Sequence, residues 1–215
     1  MTTTITTKLF VFALGAFVLV LADYLYGTTY YTNVPTDQDT RFLISGLMGY
    51  FTTLCYGYGL FGYTDGFLQP TSPLKRITLV SLAVFTVGVG VTHSLACGYM
   101  YLLNAQLLAP DPSIFQSVLA KFDAAYNVYL ILALLGVTLG YSSLGMAIAT
   151  GKTVFPKQSL LFFPLLIVVL ITVLDTYVAG YPILLKSAAW SGVLFNLALI
   201  AFAKRPFVHP SPSVL

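Results

Sequence analysis

An imidazole and two carboxylates, His93, Asp23 and Asp175, stand inside runs of the chain that are otherwise apolar. An ionised side chain in hydrocarbon costs at least ~2.5–3.5 kcal/mol, so such groups are normally paired or line a wet cavity. These residue types suit three chemistries. A His–Asp pair does general acid–base work, with the carboxylate fixing the imidazole tautomer. The same pair relays protons in membrane transport. Imidazole and carboxylates together also suit zinc, manganese or iron. No HxxxH or HxxE spacing and no second histidine within an apolar run supports a metal, however, so no metal site is assigned and the cofactor stays unknown. Ser94 follows His93 directly and points ~100° away on a helix, so it makes no Ser–His pair within this run.

Depth places the three at one level. His93 lies 16 residues past Ile77 in the run from Arg76 to Leu102, ~24 Å along a helix axis. Asp23 lies 15 residues past Lys8, ~22 Å in. Asp175 lies 16 residues past Ser159, again ~24 Å. Asp123, with Asn127 one turn below it, opens another run near the same level, and Lys186 and Arg41 open two more. Tyrosines crowd there as well, at 24, 26, 30, 31, 99, 101, 126, 129, 177 and 181. An aromatic belt at the membrane interface accounts for most of them, and charged heads at span ends snorkel to water. Asp23, His93 and Asp175 are deeper, and they are the candidate catalytic residues. Tyr26, Tyr99, Asp123, Tyr126, Asn127, Tyr177 and Lys186 are the candidate ligand-binding residues around them.

The elements that must carry these groups are membrane helices. Of 215 residues, 58% are hydrophobic and 8% charged, and the mean hydropathy is +0.87. Soluble domains carry about 25% charged residues, so lipid is the solvent for this chain. A net charge of +3, scattered along the chain, excludes a nucleic-acid surface. Roughly 20 apolar residues cross a hydrocarbon core of ~30 Å. Six runs meet that length, at about 8–26, 41–63, 77–102, 123–149, 159–179 and 183–203, with 204–215 as a tail. None alternates in the manner of a barrel strand. A short piece from 114 to 122 reads as amphipathic and interfacial. The expected fold is all-α, a single polytopic bundle of six transmembrane helices.

Six spans put both termini on one side, together with Lys8, Lys75, Arg76, Lys152, Lys157, Lys204 and Arg205. The other side holds Arg41, Lys121 and Lys186 beside Asp37, Asp39 and Asp111. That asymmetry in short loops makes the termini cytoplasmic and the Asp–His–Tyr layer outward-facing. The first run carries one basic residue before it, so it is read as a retained span rather than a cleaved signal.

Other features are packing. Gly57-Tyr58-Gly59-Leu60-Phe61-Gly62 matches a dinucleotide-binding pattern literally. It lies inside a span, without the preceding strand or the later acidic residue that the pattern needs, so close helix approach is its expected role. Gly88, Gly90, Gly136 and Gly140 read the same way. Pro164 is expected to kink or loosen the fifth span. Cys55 and Cys97 read as small buried hydrophobes, and His209 as a solvated tail residue. Spans 1–3 and 4–6 show no internal repeat.

Three stretches, LADYLYG at the end of the first span, RFLISGLMGY opening the second and VTHSLACG late in the third, resemble a family of uncharacterised six-helix bacterial membrane proteins. The resemblance implies topology and draws attention to His93. It implies no activity.

The functional reading is a polar, Tyr-rich pocket that faces outward. It would bind a lipid-like or small amphipathic molecule, with acid–base chemistry left open and no commitment to an enzyme. A proton-linked transporter or channel, which needs a polar path onward to the cytoplasm, and a structural subunit of a larger complex are the alternatives. Partners are membrane lipids, such an amphipathic ligand, and further copies of the chain or other membrane subunits.

Overall fold

A computed structural model describes residues 1–32, 38–108, 111, 113–178 and 182–202. Among these the chain is all-helical, with α1 (Thr3–Thr32), α2 (Gln38–Asp65), α3 (Pro73–Leu108), α4 (Ser113–Ala149), α5 (Pro164–Tyr177) and α6 (Trp190–Phe202). Short 3₁₀ turns cover Lys157–Phe162 and Ile183–Leu185. The most extensive pairings are α1 with α2 and α3 with α4; α2 also packs on α3, and α6 on α1.

One end of the bundle is basic. Lys8 pairs with Asp65 there at 2.5 Å. The loop after α2 joins the loop after α4 through the Phe67–Thr153 bridge and the bond from Leu68 N to the Lys152 carbonyl. α6 returns to this end, where Phe162 and Phe202 lie 6.1 Å apart. The opposite end carries His93.

Four segments are long and apolar enough to cross a membrane: Thr3–Leu25, Pro73–Leu103, Ser113–Ala149 and Lys157–Tyr177. The expected count of six is not reached, for two different reasons. α2 has 28 residues, ~42 Å at helical rise, but Ser, Thr, Gly and Tyr dilute its hydropathy. α6 has 13 residues, only ~20 Å, because the expected sixth span does not become helical until Trp190. Before it, a 3₁₀ turn and an irregular stretch are held by the indole Nε1–H of Trp190 donating to the Leu184 carbonyl at 2.9 Å.

Two further expectations change. The piece 114–122 is not separate; it is the first part of α4, a helix of 37 residues, ~55 Å long and therefore longer than a bilayer core. Pro164 does not kink a helix but starts one. It occupies the first turn of α5 after Phe163 in extended backbone, where a missing N–H costs nothing.

α2 is built inside out. Leu43, Leu47, Phe51, Leu54 and Phe61 are exposed, while Ser45, Thr52, Tyr56 and Tyr63 are buried. Its outward face is apolar and its inward face partly polar. Close approach makes the buried face possible. A Cβ on Gly59 would stand 2.5 Å from the Phe12 Cβ, and one on Gly136 would stand 2.7 Å from the Ser81 carbonyl oxygen on α3. Gly57, by contrast, faces open space, so the literal glycine motif is a packing surface at two of its three positions at most.

The core towards the basic end is aromatic. Phe12 stacks on Tyr56 at 4.1 Å, Tyr63 meets Phe12 at 5.2 Å and Tyr141 at 6.1 Å, and Tyr141 meets Phe195 edge-on at 5.9 Å. Such pairs contribute about 0.5–1.5 kcal/mol each beyond area burial. Tyr56, Tyr63 and Tyr141 are thus tyrosines of the bundle interior, outside the layer in which the sequence places most of them.

Candidate functional site: a polar layer across four segments

At the other end, α1, α2, α3 and the stretch before α6 are tied by polar side chains. His93 is placed by α3, whose Cys97 lies one turn on and on the same face. Asp23 faces it from α1, with Oδ1 3.3 Å from Nδ1. The second Asp23 oxygen accepts a 2.6 Å bond from the Ser187 hydroxyl, which itself accepts from Ala189 N at 3.2 Å. On the far side of the ring, Nε2 lies 2.9 Å from Ser45 Oγ and 3.1 Å from the Ser45 carbonyl oxygen. Ser45 donates its hydroxyl to the Ala22 carbonyl at 2.9 Å, and the Cys97 thiol donates to Ser45 Oγ at 3.5 Å. α2 comes this close because residue 49 is glycine; a Cβ there would stand 2.7 Å from His93 Cδ2.

Nδ1 faces a carboxylate, an acceptor, so it is placed to donate to Asp23. Nε2 lies between the hydroxyl and carbonyl oxygens of Ser45, its role following the tautomer. The His93 side chain is 10% exposed and that of Asp23 is 37% exposed. The carboxylate is thus the open face of the pair, and the imidazole its buried backing.

The order Asp23–His93–Ser45 has the connectivity of a hydrolase triad. It is not arranged for nucleophilic attack. Ser45 is fully buried, its proton points at a helix carbonyl, and the surrounding amides belong to helix interiors rather than to an oxyanion hole. The arrangement can hold or exchange a proton at Asp23 and His93.

Asp175 does not join His93. It pairs with Lys186 at 2.7 Å, with both side chains partly exposed. Because Lys186 precedes Ser187, the two ion pairs are adjacent along the chain: Asp175 to Lys186, then Ser187 to Asp23 to His93. Asn127 donates to Asp123 at 3.3 Å, one turn apart on α4. α4 meets α3 through Phe122 at Gly98 and Ala133 at Gly88, positions ~140° round α3 from His93. Asp123, Tyr126 and Asn127 are accordingly on a helix behind α3, and the half-buried Tyr99 is six residues beyond His93, ~120° round α3 from it. Tyr177 is 81% exposed at the end of α5. The Tyr26 side chain lies outside the described residues.

Sequence reasoning missed Ser45, Ser187 and the polar role of Cys97. Only Cys97 carried a signal, its spacing of four from His93. No three His, Cys, Asp or Glu residues gather into a metal-binding group among the described residues. A cavity of about 400 Å³ lies elsewhere, between α3 and α4, lined by Ala83, Val84, Val87, Gly88, Tyr129 and Leu132. Its lining offers no hydrogen-bonding group apart from a tyrosine.

Residues 1–203, which hold every element of this layer, match one family model, a family of unknown function (DUF6796). The chain belongs to that family. No curated protein and no solved structure matches the chain. The expected kinship with an uncharacterised family stands on this match; a bacterial, six-helix character for that family does not follow from it.

Proposed function

We propose that the protein is an integral membrane protein that binds the polar head of a lipid-like or small amphipathic molecule at the Asp23–His93 pair, on the outward side. The single observation that carries this reading is the partly exposed Asp23 carboxylate, held by a nearly covered imidazole and a serine hydroxyl. This carboxylate keeps a face open while its partner imidazole is nearly covered, at the level expected for lipid headgroups. The nearby Asp175–Lys186 pair and the exposed Tyr177 ring supply further polar and aromatic contacts at that rim. Proton exchange between His93 and Asp23 is the chemistry the pair supports.

In this reading α2 also crosses the membrane, because its exposed face is apolar, and α6 crosses with the irregular stretch before it shielded by α1. The chain then forms one membrane domain of six spans, and the positive-inside rule puts the basic end and both termini in the cytoplasm. Membrane lipids surround the bundle, and self-association is compatible with its exposed apolar faces.

Native mass spectrometry of gently solubilised protein tests the site. A small amphipathic species that co-purifies with the wild type and is lost in both Asp23→Asn and His93→Ala supports it. Wild type that carries nothing, or variants that retain the same species, overturns it. A second reading, that the pair is an interhelical clamp, is favoured by the Ser45–Ala22 bond and the tight Gly49–His93 contact. It predicts lost thermal stability with no change in bound species.

A further inference from the structure

The cavity between α3 and α4 and the basic end of the bundle lie on one continuous surface. Val84 and Val87 line the cavity from α3. Val80 and Arg76 precede Val84 at intervals of four residues, so one face of α3 runs from the cavity to the charged end. On α4, Leu132 lines the cavity, and Leu135 and Leu139 carry its face in the same direction. All of these apolar side chains are exposed. The two helices stay together along this stretch. Ala133 abuts Gly88, and nearer the charged end the Thr78 and Ser143 hydroxyls share a 2.8 Å hydrogen bond.

Depth along this surface matches one leaflet. From Arg76 to Val87 is 11 residues, ~17 Å at helical rise, and half of a hydrocarbon core is ~15 Å. An acyl chain whose headgroup lies level with Arg76 therefore ends in the cavity.

The headgroup end is cationic and uncompensated. Lys75 and Arg76 lie in the first turn of α3, which has no acidic residue. Lys152 is kept at this end by the cap that closes α4. Gly151 takes a φ of 69°, and the Lys152 amide turns back to donate to the Ala147 carbonyl at 2.8 Å, a reversal that glycine makes readily. Among the described residues the one carboxylate at this end, Asp65, is held by Lys8. No ion pair among the described residues engages Lys75, Arg76 or Lys152.

We propose that an anionic phospholipid binds along the α3–α4 seam, with its phosphate at Lys75, Arg76 and Lys152 and one acyl chain in the cavity. A zwitterionic lipid would fill the cavity equally but leave the cations without a counter-charge, so headgroup charge is what selects. The site lies at the opposite end from the Asp23–His93 pair and is independent of that reading. It requires only that α3 and α4 cross the membrane, for which both are long and apolar enough.

Native mass spectrometry of the full-length protein, in micelles carrying phosphatidylglycerol and phosphatidylcholine of matched chains, decides it. Wild type is expected to retain phosphatidylglycerol in preference. Each cation near a lipid surface contributes about fivefold, so Arg76→Gln with Lys152→Gln is expected to weaken that retention about 30-fold. Val87→Trp, which fills the cavity and leaves every charge in place, is expected to displace the same lipid. Lys121→Gln, at the other end of the bundle, is expected to leave it bound. These four positions are exposed, so the variants are expected to fold, and unchanged thermal midpoints check this. Equal retention of the two lipids by wild type overturns the proposal, as does retention unchanged by either the charge variant or Val87→Trp. A loss in Lys121→Gln as large as that in the charge variant also overturns it, because net charge alone would then account for the preference.

Discussion

The two ends of this bundle solve the same problem with opposite means. Towards the basic end, helices are held by stacked and edge-on rings around Phe12, Tyr63, Tyr141 and Phe195. At the other end, an ion pair and a string of hydroxyls join α1, α2, α3 and the stretch before α6. In lipid, apolar contact between helices gains little over contact with acyl chains, so dense packing and polar ties do the holding. The aromatic end uses the first. The polar end uses the second, and in doing so leaves one carboxylate half open. What sets the polar end apart is that its partly exposed carboxylate is tied to a nearly covered imidazole and to Ser187 across several segments, which is why it is the candidate site and the aromatic end the frame.

The comparison is broken most severely at the frame. Phe12 is 1% exposed and touches two aromatic partners. Phe12→Ala is expected to cost about 3–5 kcal/mol, read as a large fall in thermal midpoint or a loss of folded protein on size exclusion. Retention of bound amphipathic species by whatever fraction stays folded is also expected. A well-folded Phe12→Ala protein with an unchanged midpoint would mean the ring cluster is not the frame.

At the polar end the cost depends on which partner is left. His93→Ala leaves Asp23 without its imidazole partner, and breaking a buried pair costs about 3–5 kcal/mol when the remaining charge cannot reach water. Asp23 is partly exposed, so the expected loss is smaller, about 1–3 kcal/mol. Replacing both, Asp23→Asn with His93→Gln, is expected to recover part of that stability while abolishing ligand retention. Recovery of both together would assign the pair to structure alone.

Much of this contrast was legible in the sequence, and the reasons differ by residue. Hydropathy and depth place Asp23 and His93 at one level, because helical rise converts spacing into depth without knowledge of packing. They do not give azimuth, so Asp175 could not be separated from His93 before its pairing with Lys186 was known. Asp123, Tyr126 and Asn127 share the level but are carried by α4, behind α3. The count of six is unsupported at α2 for a related reason: a helix with its polar face turned inward is diluted in hydropathy, although its outer face is apolar. α6 failed because chain direction after Gly180-Tyr181-Pro182 is decided by the Trp190–Leu184 bond and by Ser187 reaching Asp23. The tyrosines at 56, 63 and 141 were hidden by the strength of the aromatic-belt expectation, which concerns span ends and says nothing of residues facing a bundle interior.

The Asp175–Lys186 pair sharpens the contrast at lower energy. Both side chains are partly exposed, so Asp175→Asn is expected to cost only about 0–1 kcal/mol. The cost should shrink further in high salt, whereas that of His93→Ala, with its ring almost covered, should not. A scan of thermal midpoint against salt for the two variants measures this directly. Equal salt sensitivity would place His93 in contact with bulk solvent and remove the distinction between a buried backing and an open rim.

The smallest effect is expected at a carboxylate outside the membrane. Asp111 precedes α4 and accepts from the Ser113 hydroxyl at 2.6 Å and from its amide at 3.0 Å. Those two bonds hold its carboxyl below the usual carboxylate range, the hydroxyl contributing most. The folded state therefore prefers the ionised form. Its contribution is fully present above the ordinary aspartate range and is lost as pH falls through the lowered value. Asp111 is exposed, and both of its bonds go to Ser113 at the start of the same helix. Asp111→Asn should speed amide exchange at Ser113 and the next turn of α4 near neutral pH, with the thermal midpoint unchanged. Asp23→Asn should do the reverse, leaving the start of α4 alone and lowering the midpoint. If Asp111→Asn instead lowers the midpoint as much as Asp23→Asn, bridging four segments adds nothing over capping one helix, and the polar end loses its claim to be more than a set of local contacts.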